Sequence, residues 1–243
     1  MRFNEDHLRL LRAVRFTSQL NFVIEPGTFS VIQKMNGKVQ FVSGERIRDE
    51  WVKLLKGSHV ETGLKVAVAT GMMKVLFPFR AEDSFWNTKE AETAPEGWQL
   101  LALFFRKAEK IDLESSLDLL RLSNKERKGI EEAWSIWQSP QDLVSLRWGQ
   151  QLQSLAKPGV LFALRILELE PNELKLANLL LTWQSMQEKL PAAFLSGEDV
   201  KHLLKGPDIG TCLHEAYNLQ LEDELNSREA ALKWISEFLK GQQ

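Results

Sequence analysis

Apolar positions recur along this chain at the three- and four-residue spacing of helices, and no sustained valine- or isoleucine-rich alternation argues for a sheet. Leu8, Leu11, Val14, Phe16 and Leu20 mark a first helix. Asn4 is placed to cap it, and Glu5 and Asp6 fall in its first turn, where carboxylates favour the helix dipole. Pro26 opens a second short helix through Met35, which Asn36-Gly37 ends. Ser43 caps a third over Gly44–Leu55, closed by Gly57, and a fourth runs from Val60 to Leu76, stopping before Pro78. Residues 79–97, charged and carrying Pro95 and Gly97, read as a loop or linker. Further helices are predicted over 98–108, 112–122, 124–137, 142–155, 158–169 and 172–188. Beyond a boundary at Pro191 and Gly197 come 197–205, 208–218 and 227–239. The reading is all-α: an elongated array of small helical modules, divided into 1–57, 58–157 and 158–243.

Composition narrows this only slightly. A chain of 243 residues holds one substantial core or two to three small helical modules. Shares of 44% hydrophobic and 26% charged residues are ordinary for a soluble globular protein. A single cysteine, Cys212, excludes an internal disulfide framework and fits a reducing, cytoplasmic setting. The first residues are charged rather than apolar, so no secretory signal is expected. The longest apolar run, Val66–Phe79, is broken by Thr70, Gly71 and Lys74, and no membrane association is expected. Charge is uneven: residues 1–60 hold ten Lys and Arg against six Asp and Glu, while the chain as a whole is at −2. A basic start on an acidic body suits a local phosphate-facing surface, and ordinary fluctuation suits it equally.

The candidate chemistry lies at the start of the first helix. Asp6 and Arg9, three residues apart, project from one helical face. A carboxylate accepts hydrogen bonds and a guanidinium donates them in a rigid fork, so the two together match the edge of a nucleobase without a template. The exocyclic amine of cytosine or adenine would donate to Asp6, and Arg9 would donate to the neighbouring ring acceptor. Uracil and guanine turn a carbonyl toward the carboxylate and are repelled. The same two residues also read as a plain surface ion pair worth a few tenths of a kcal/mol.

The longer string resembles a known motif. Arg2-Phe3-Asn4-Glu5-Asp6, Leu8-Arg9 and Leu11-Arg12-Ala13-Val14-Arg15-Phe16, continued by Leu20-Asn21-Phe22 and Ile24-Glu25-Pro26-Gly27-Thr28, resemble the nucleotide-selecting motif of the class II tRNA nucleotidyltransferase (CCA-adding enzyme) and bacterial poly(A) polymerase family. Val42-Ser43-Gly44-Glu45-Arg46-Ile47-Arg48-Asp49-Glu50 resembles the family's next helix start, which braces the base-reading helix. More weakly, Leu120–Glu126, Gly206-Pro207-Asp208-Ile209-Gly210, Gln220–Asp223, Ala230 and Trp234 are similar to its body and tail.

The resemblance implies that Asp6, Arg9, Glu5 and Arg12 bind the nucleotide base, with Arg15, Glu45, Arg46 and Glu50 supporting them or contacting phosphate. It makes 1–57 neck-like base-recognition and RNA-binding helices, 58–157 a helical body and 158–243 a tRNA-binding tail. A Gly206-Pro207-x-x-Gly210 turn offers free backbone N–H groups to phosphate, although Asp208 would oppose it, and a structural turn is an equal reading. Expected partners are the 3′ end of tRNA or another RNA, CTP and ATP, and a separate head domain in trans.

The family transfers phosphoryl groups with two metal ions held by head-domain carboxylates after a Gly-rich turn. This sequence has no Gly-Gly and no Asp-x-Asp, so no catalytic or metal-binding residue is assigned, and Mg²⁺ is expected only with a catalytic head. The acidic pairs at Glu168-Leu169-Glu170 and Glu222-Asp223-Glu224 read as solvated surface, and the histidines at 7, 59, 202 and 214 are too scattered for zinc. Trp134 and Trp137 read as a core stripe rather than a base-stacking platform. The chain is therefore expected to be the nucleotide-selecting, RNA-holding part of a 3′-terminal CCA- or A-adding enzyme, inactive alone. The alternative is a stand-alone, non-catalytic RNA- or protein-binding protein derived from that family.

Overall fold

The structure, a computed structural model, describes residue 3 and residues 5–80, 86–168, 174–204 and 206–240, the side chains of 174–176 and 239–240 excepted. It is all-α: sixteen α-helices and two 3-10 helices, with no strand among the described residues. The expected cap Asn4 and residues 169–173 lie outside the description. Two compact units emerge, residues 1–134 and 135–243.

The first unit contains α1 (Leu8–Leu20), α2 (Pro26–Met35), a 3-10 helix (Asn36–Phe41), α3 (Gly44–Leu55), α4 (Val60–Ala69) and α5 (Met72–Leu76). A 3-10 turn (Pro78–Arg80), α6 (Thr88–Glu92), α7 (Gly97–Phe105), α8 (Lys110–Leu120) and the start of α9 (Asn124–Gln138) follow. Helix α1 buries Leu8, Leu10, Leu11, Val14 and Ser18 against α3 and α4. Two glycines set that approach. A Cβ at Gly57 would lie 2.0 Å from Ser18 Oγ, and one at Gly63 would lie 2.6 Å from Ser18 Cβ. The Ser18 hydroxyl donates to the Leu54 carbonyl at 2.5 Å, so this buried polar group is satisfied where the helices meet.

Helix α3 also packs against α7 and α8, so helices on either side of residue 57 share a core. Its centre is aromatic. Trp51, Phe77, Phe104 and Phe105 meet mostly edge to face at centroid distances of 5.0 to 5.6 Å, each contact adding about 0.5–1.5 kcal/mol beyond the area buried.

Several predicted elements are corrected. The single helix expected over 60–76 is two, because Gly71 adopts φ +75° and the Asn36 amide turns into that corner to donate to the Thr70 carbonyl at 2.9 Å. Helix α2 ends at Met35 with Asn36 as its C-cap, as expected, and a 3-10 helix not expected from the sequence follows directly over Asn36–Phe41. The segment read as a loop carries α6, whose first amides donate to the Asn87 carboxamide oxygen.

The second unit holds α10 (Pro140–Ser145), α11 (Trp148–Leu155), α12 (Pro158–Leu167), α13 (Leu174–Ser185), α14 (Gly197–Val200), α15 (Pro207–Leu221) and α16 (Arg228–Lys240). The helix predicted over 142–155 is broken at Leu146 and Arg147, where extended backbone and the Gln150 side chain accepting from the Arg147 N–H begin a new helix. The helix expected over 197–205 reaches only Val200. One aliphatic core gathers Leu143, Leu152, Leu155, Val160, Leu164 and Trp183, and a second gathers Val200, Cys212, Ala216, Leu225, Ala231 and Ile235. No helix among the described residues is long and apolar enough to cross a membrane.

Candidate functional site

Helix α1 begins at Leu8, so Asp6 precedes it instead of sitting in its first turn. Its carboxylate accepts from the Leu8 N–H at 3.1 Å, and its carbonyl accepts from the Arg9 N–H at 3.2 Å. Asp6 thus opens the helix on which Arg9, Arg12 and Arg15 ride. Arg46 of α3 places Nη2 3.3 and 3.2 Å from the two Asp6 oxygens, with both side chains partly exposed. The Leu8 N–H first, then the Arg46 and Arg9 guanidiniums, hold the Asp6 carboxyl below the usual carboxylate range. The group is an anion at neutral pH in a fixed orientation, and two carboxylate oxygens retain lone pairs for a further donor.

One turn on, α1 walls an open hollow of about 700 Å³. Arg9, Arg12, Ala13 and Phe16 form one side together with Phe3, and Glu25, Gly27, Thr28 and Val31 form the other. Arg12 is exposed, with its guanidinium 5.9 Å from the centre of the Phe16 ring. Glu25 faces the arginines but is already engaged. Its two oxygens accept from the Gly27 and Thr28 N–H groups at 2.8 and 2.7 Å, which cap α2 and keep the carboxyl below its usual range. A Cβ at residue 27 would lie 3.1 Å from both of those oxygens, so glycine leaves the cap its room. The guanidiniums lining the hollow, Arg9 and Arg12, are therefore contributed by α1, and the N-terminal N–H groups of α2 are taken up by Glu25.

Behind the hollow, Arg15 and Glu50 meet with side chains only 10% and 7% exposed, Nη1 lying 3.1 Å from Oε2. The Arg15 guanidinium also stacks 4.2 Å from the Phe16 ring centre, and Lys53 reaches Glu50 at 3.2 Å from the rim. The structure thus pairs two residues of α1 and its start with two of α3: Asp6 with Arg46 and Arg15 with Glu50. Arg15 is buried at this junction, between Glu50 and the Phe16 ring. Glu45 points elsewhere. It accepts from its own backbone N–H and the Ser43 hydroxyl at the start of α3, on the side of Arg121 and Arg48, and the Ser43 side chain makes no cap bond to the helix. Glu5 is exposed and, like Asp6, is not in the wall of the hollow.

In the second unit, Gly206 at φ +60° precedes Pro207, the first residue of α15, and Gly206, Pro207 and Gly210 are all exposed. A Cβ at Gly206 or Gly210 would meet nothing within 4 Å. That turn lies apart from the hollow in sequence, and nothing in its own contacts distinguishes phosphate from solvent. Glu222, read as solvated, is 13% exposed, accepts from the Gly149 N–H at 3.1 Å and lies 3.9 Å from Arg147. Trp134 and Trp137 are half-buried and tied by their indole N–H groups to the Ala108 and Ala163 carbonyls. Cys212 is buried, and burial pushes its thiol up. Among the described residues no three His, Cys, Asp or Glu side chains gather as a metal site.

Sequence reasoning alone missed Phe3 and Thr28 as walls of the hollow. The signal that could have found the second wall is Glu25-Pro26-Gly27: a capping carboxylate, then proline at the first helical position, then the residue that makes room.

Residues 21–83 match a family model described as "Probable RNA and SrmB- binding site of polymerase A". Over 246 residues the chain is 29% identical to the CCA-adding enzyme of Bacillus velezensis, covering 98% of this chain and 55% of that protein. It is 37% identical over 131 residues to that of Ligilactobacillus salivarius, covering 51% of this chain and 32% of the relative. Among solved structures, the Bacillus stearothermophilus CCA-adding enzyme in complex with CTP aligns with a TM-score of 0.71 at 22% identity, over 99% of this chain and 64% of that one. The Thermotoga maritima CCA-adding enzyme complexed with tRNA aligns at 0.53 and 18%, over 98% and 62%. The chain spans between about a third and two thirds of the length of these proteins. Asp6, Arg9, Arg12 and Arg15 precede the stretch matched by the family model, whereas Glu45, Arg46 and Glu50 fall inside it.

Proposed function

We propose that in this chain, which belongs to the class II CCA-adding enzyme and poly(A) polymerase family, residues 1–134 select the incoming nucleotide by its base while the chain holds the 3′ end of an RNA. The observation that carries this reading is the start of α1. There a carboxylate held ionised and oriented by Leu8 and Arg46 stands one turn from Arg9, which faces an open hollow. Asp6 accepts the exocyclic amine of cytosine or adenine, and Arg9 donates to the adjoining ring nitrogen. Arg12, exposed in the same wall, faces the phosphates. Arg46 and Glu50 supply stiffness: each fixes a charged side chain of the α1 region to α3.

Phosphoryl transfer itself is assigned to a catalytic domain, in the same polypeptide or supplied in trans, with its metal ions there. The substrates proposed are CTP or ATP and a tRNA or another RNA 3′ end, in the cytoplasm, and residues 1–243 by themselves are expected not to extend RNA.

The test joins this chain to the catalytic domain of a Bacillus relative and measures incorporation of each nucleotide into tRNA. Arg9→Ala should weaken use of CTP and ATP together, by about 1–3 kcal/mol, the worth of one good base contact. Asp6→Ala should admit UTP or GTP more than it slows the correct nucleotide. Unchanged nucleotide choice in both variants would return the pair to an ordinary surface contact, and metal-dependent extension by the 243-residue chain alone would overturn the assignment of chemistry to a separate domain.

A further inference from the structure

We infer that Phe41 is a stacking platform for an unpaired base of RNA. The residue closes the 3-10 helix Asn36–Phe41, and its side chain is 76% exposed. That exposure does not come from a loose segment. Val39 is fully buried and Val42 nearly so, the Val42 N–H donates to the Val39 carbonyl at 3.0 Å, and Asn36 and Gln33 donate to the Thr70 and Ala69 carbonyls. The anchors on either side push Phe41 outward on rigid backbone, where an aromatic ring contributes nothing to the core.

What surrounds the ring points to its occupant. Residues three apart eclipse on a 3-10 helix, and Lys38 accordingly sits above Phe41 with Nζ 5.4 Å from the ring centre. The His7 ring lies at 6.3 Å, tilted by 48°, and is held by Nδ1 donating to the Phe3 carbonyl at 3.0 Å. Cations lie over the rings of Phe16, Phe41 and Phe104, and of these three Phe41 alone is exposed. Exposed neighbours on the same turn, Lys38 and Gln40, are polar, which disfavours an apolar protein contact. An exposed aromatic ring beside an exposed ammonium matches a nucleobase joined to its phosphate: the base stacks on the ring, and Lys38 turns to the phosphate oxygens. His7 adjoins Asp6 in the chain, so the platform stands beside the carboxylate proposed to read the incoming base. Phe22 and Val23, at 62% and 95% exposure, have no such surroundings, and nothing in the structure shows what covers them.

This inference rests on the RNA-holding reading, and the experiment separates the two. The 243-residue chain is titrated with tRNA and with a single-stranded oligoribonucleotide carrying 2-aminopurine, whose fluorescence falls when the base stacks. Phe41→Ala should weaken binding about tenfold and abolish the quench, within the range of about 5- to 100-fold that removal of one stacking ring produces. Phe41→Trp should retain both. Lys38→Ala should lose less affinity and reduce the salt slope by about one. Unchanged affinity and quench in Phe41→Ala would overturn the platform while leaving RNA binding standing. A tryptophan variant as weak as the alanine variant would also overturn it. No RNA binding by the unsubstituted chain would overturn the RNA-holding reading and the platform with it.

Discussion

In the first unit Arg15 and Glu50 meet with side chains 10% and 7% exposed, and the Arg15 Nε has no hydrogen-bond partner. In the second unit Arg147 and Glu215 meet as a two-pronged pair at 2.9 and 2.7 Å, with side chains 44% and 34% exposed. Both pairs tie helices distant in sequence, yet they sit on opposite sides of the balance between Coulomb attraction and desolvation. The exposed pair gives up little hydration and gains little. The buried pair has lost its water, is incompletely hydrogen-bonded, and would be replaced at no net cost by apolar side chains of similar volume. What it provides is position, since it seats α1 on α3 directly behind the wall that carries Arg9 and Arg12. The cavities differ in the same sense: about 700 Å³ beside α1, against about 10 Å³ for the small pocket lined by Phe194, Tyr217 and Gln220.

The largest effect expected from this contrast is that of Glu50→Ala. Removing the carboxylate strands the Arg15 guanidinium inside the unit, at a cost of about 3–5 kcal/mol in urea unfolding. Replacing both partners, Arg15→Met with Glu50→Leu, should recover most of that stability. In the enzyme joined to a catalytic domain, the double variant should still lose discrimination among nucleotides, because α1 would no longer be held in one register. A Glu50→Ala variant no less stable than the corresponding variant of Glu215 would remove the distinction between the two pairs.

The helical class was legible from apolar spacing because nearly every helix packs one stripe against a core, and spacing records that stripe directly. Breaks within helices were not. Gly71 and Leu146-Arg147 interrupt continuous apolar patterns; at Gly71 the corner is met by a tertiary partner, Asn36, and at Leu146-Arg147 a local Gln150 cap restarts the helix within an unbroken run of apolar spacing. Of the site, the charged residues of the motif were visible as side chains of the right type, and the pairing of Asp6 with Arg46 depended on packing forty residues apart. Glu45 illustrates the limit. It adjoins Arg46 in sequence and turns the other way, because a helix separates successive side chains by about 100°.

A smaller effect is expected at Gly149, which holds the second unit's principal helix contact. A Cβ there would lie 2.6 Å from the Asn218 carbonyl oxygen, and Asn218 is fully buried, so the backbone of α15 must move. Gly149→Ala should destabilise by about 1–3 kcal/mol, as overpacking of a rigid seam does. Gly197→Ala, where a Cβ meets nothing within 4 Å, serves as the control and should be nearly neutral. Equal effects in thermal unfolding would mean that the α11–α15 seam yields more easily than its contacts indicate.

The smallest effect tests the exposed pair and carries a pH signature. The Arg147 guanidinium, through its hydrogen bonds, holds the Glu215 carboxyl below its usual value of 4.5. A carboxyl depressed in the folded state binds protons more readily when unfolded. Its contribution is therefore complete above the unfolded value and fades as pH falls through the lower folded value. Glu215→Gln should cost well under about 1 kcal/mol at neutral pH, since the pair is more than a third exposed and solvent screens it. The variant and the original chain should converge in stability as pH drops below the usual glutamate range, and raising salt at pH 7 should narrow the difference in the same way. Urea unfolding at pH 7 and at pH 3 reads both. A difference that grows on acidification would reverse the sign of the linkage and show that Glu215 is stabilised in its protonated form, which the two-pronged contact with Arg147 does not allow.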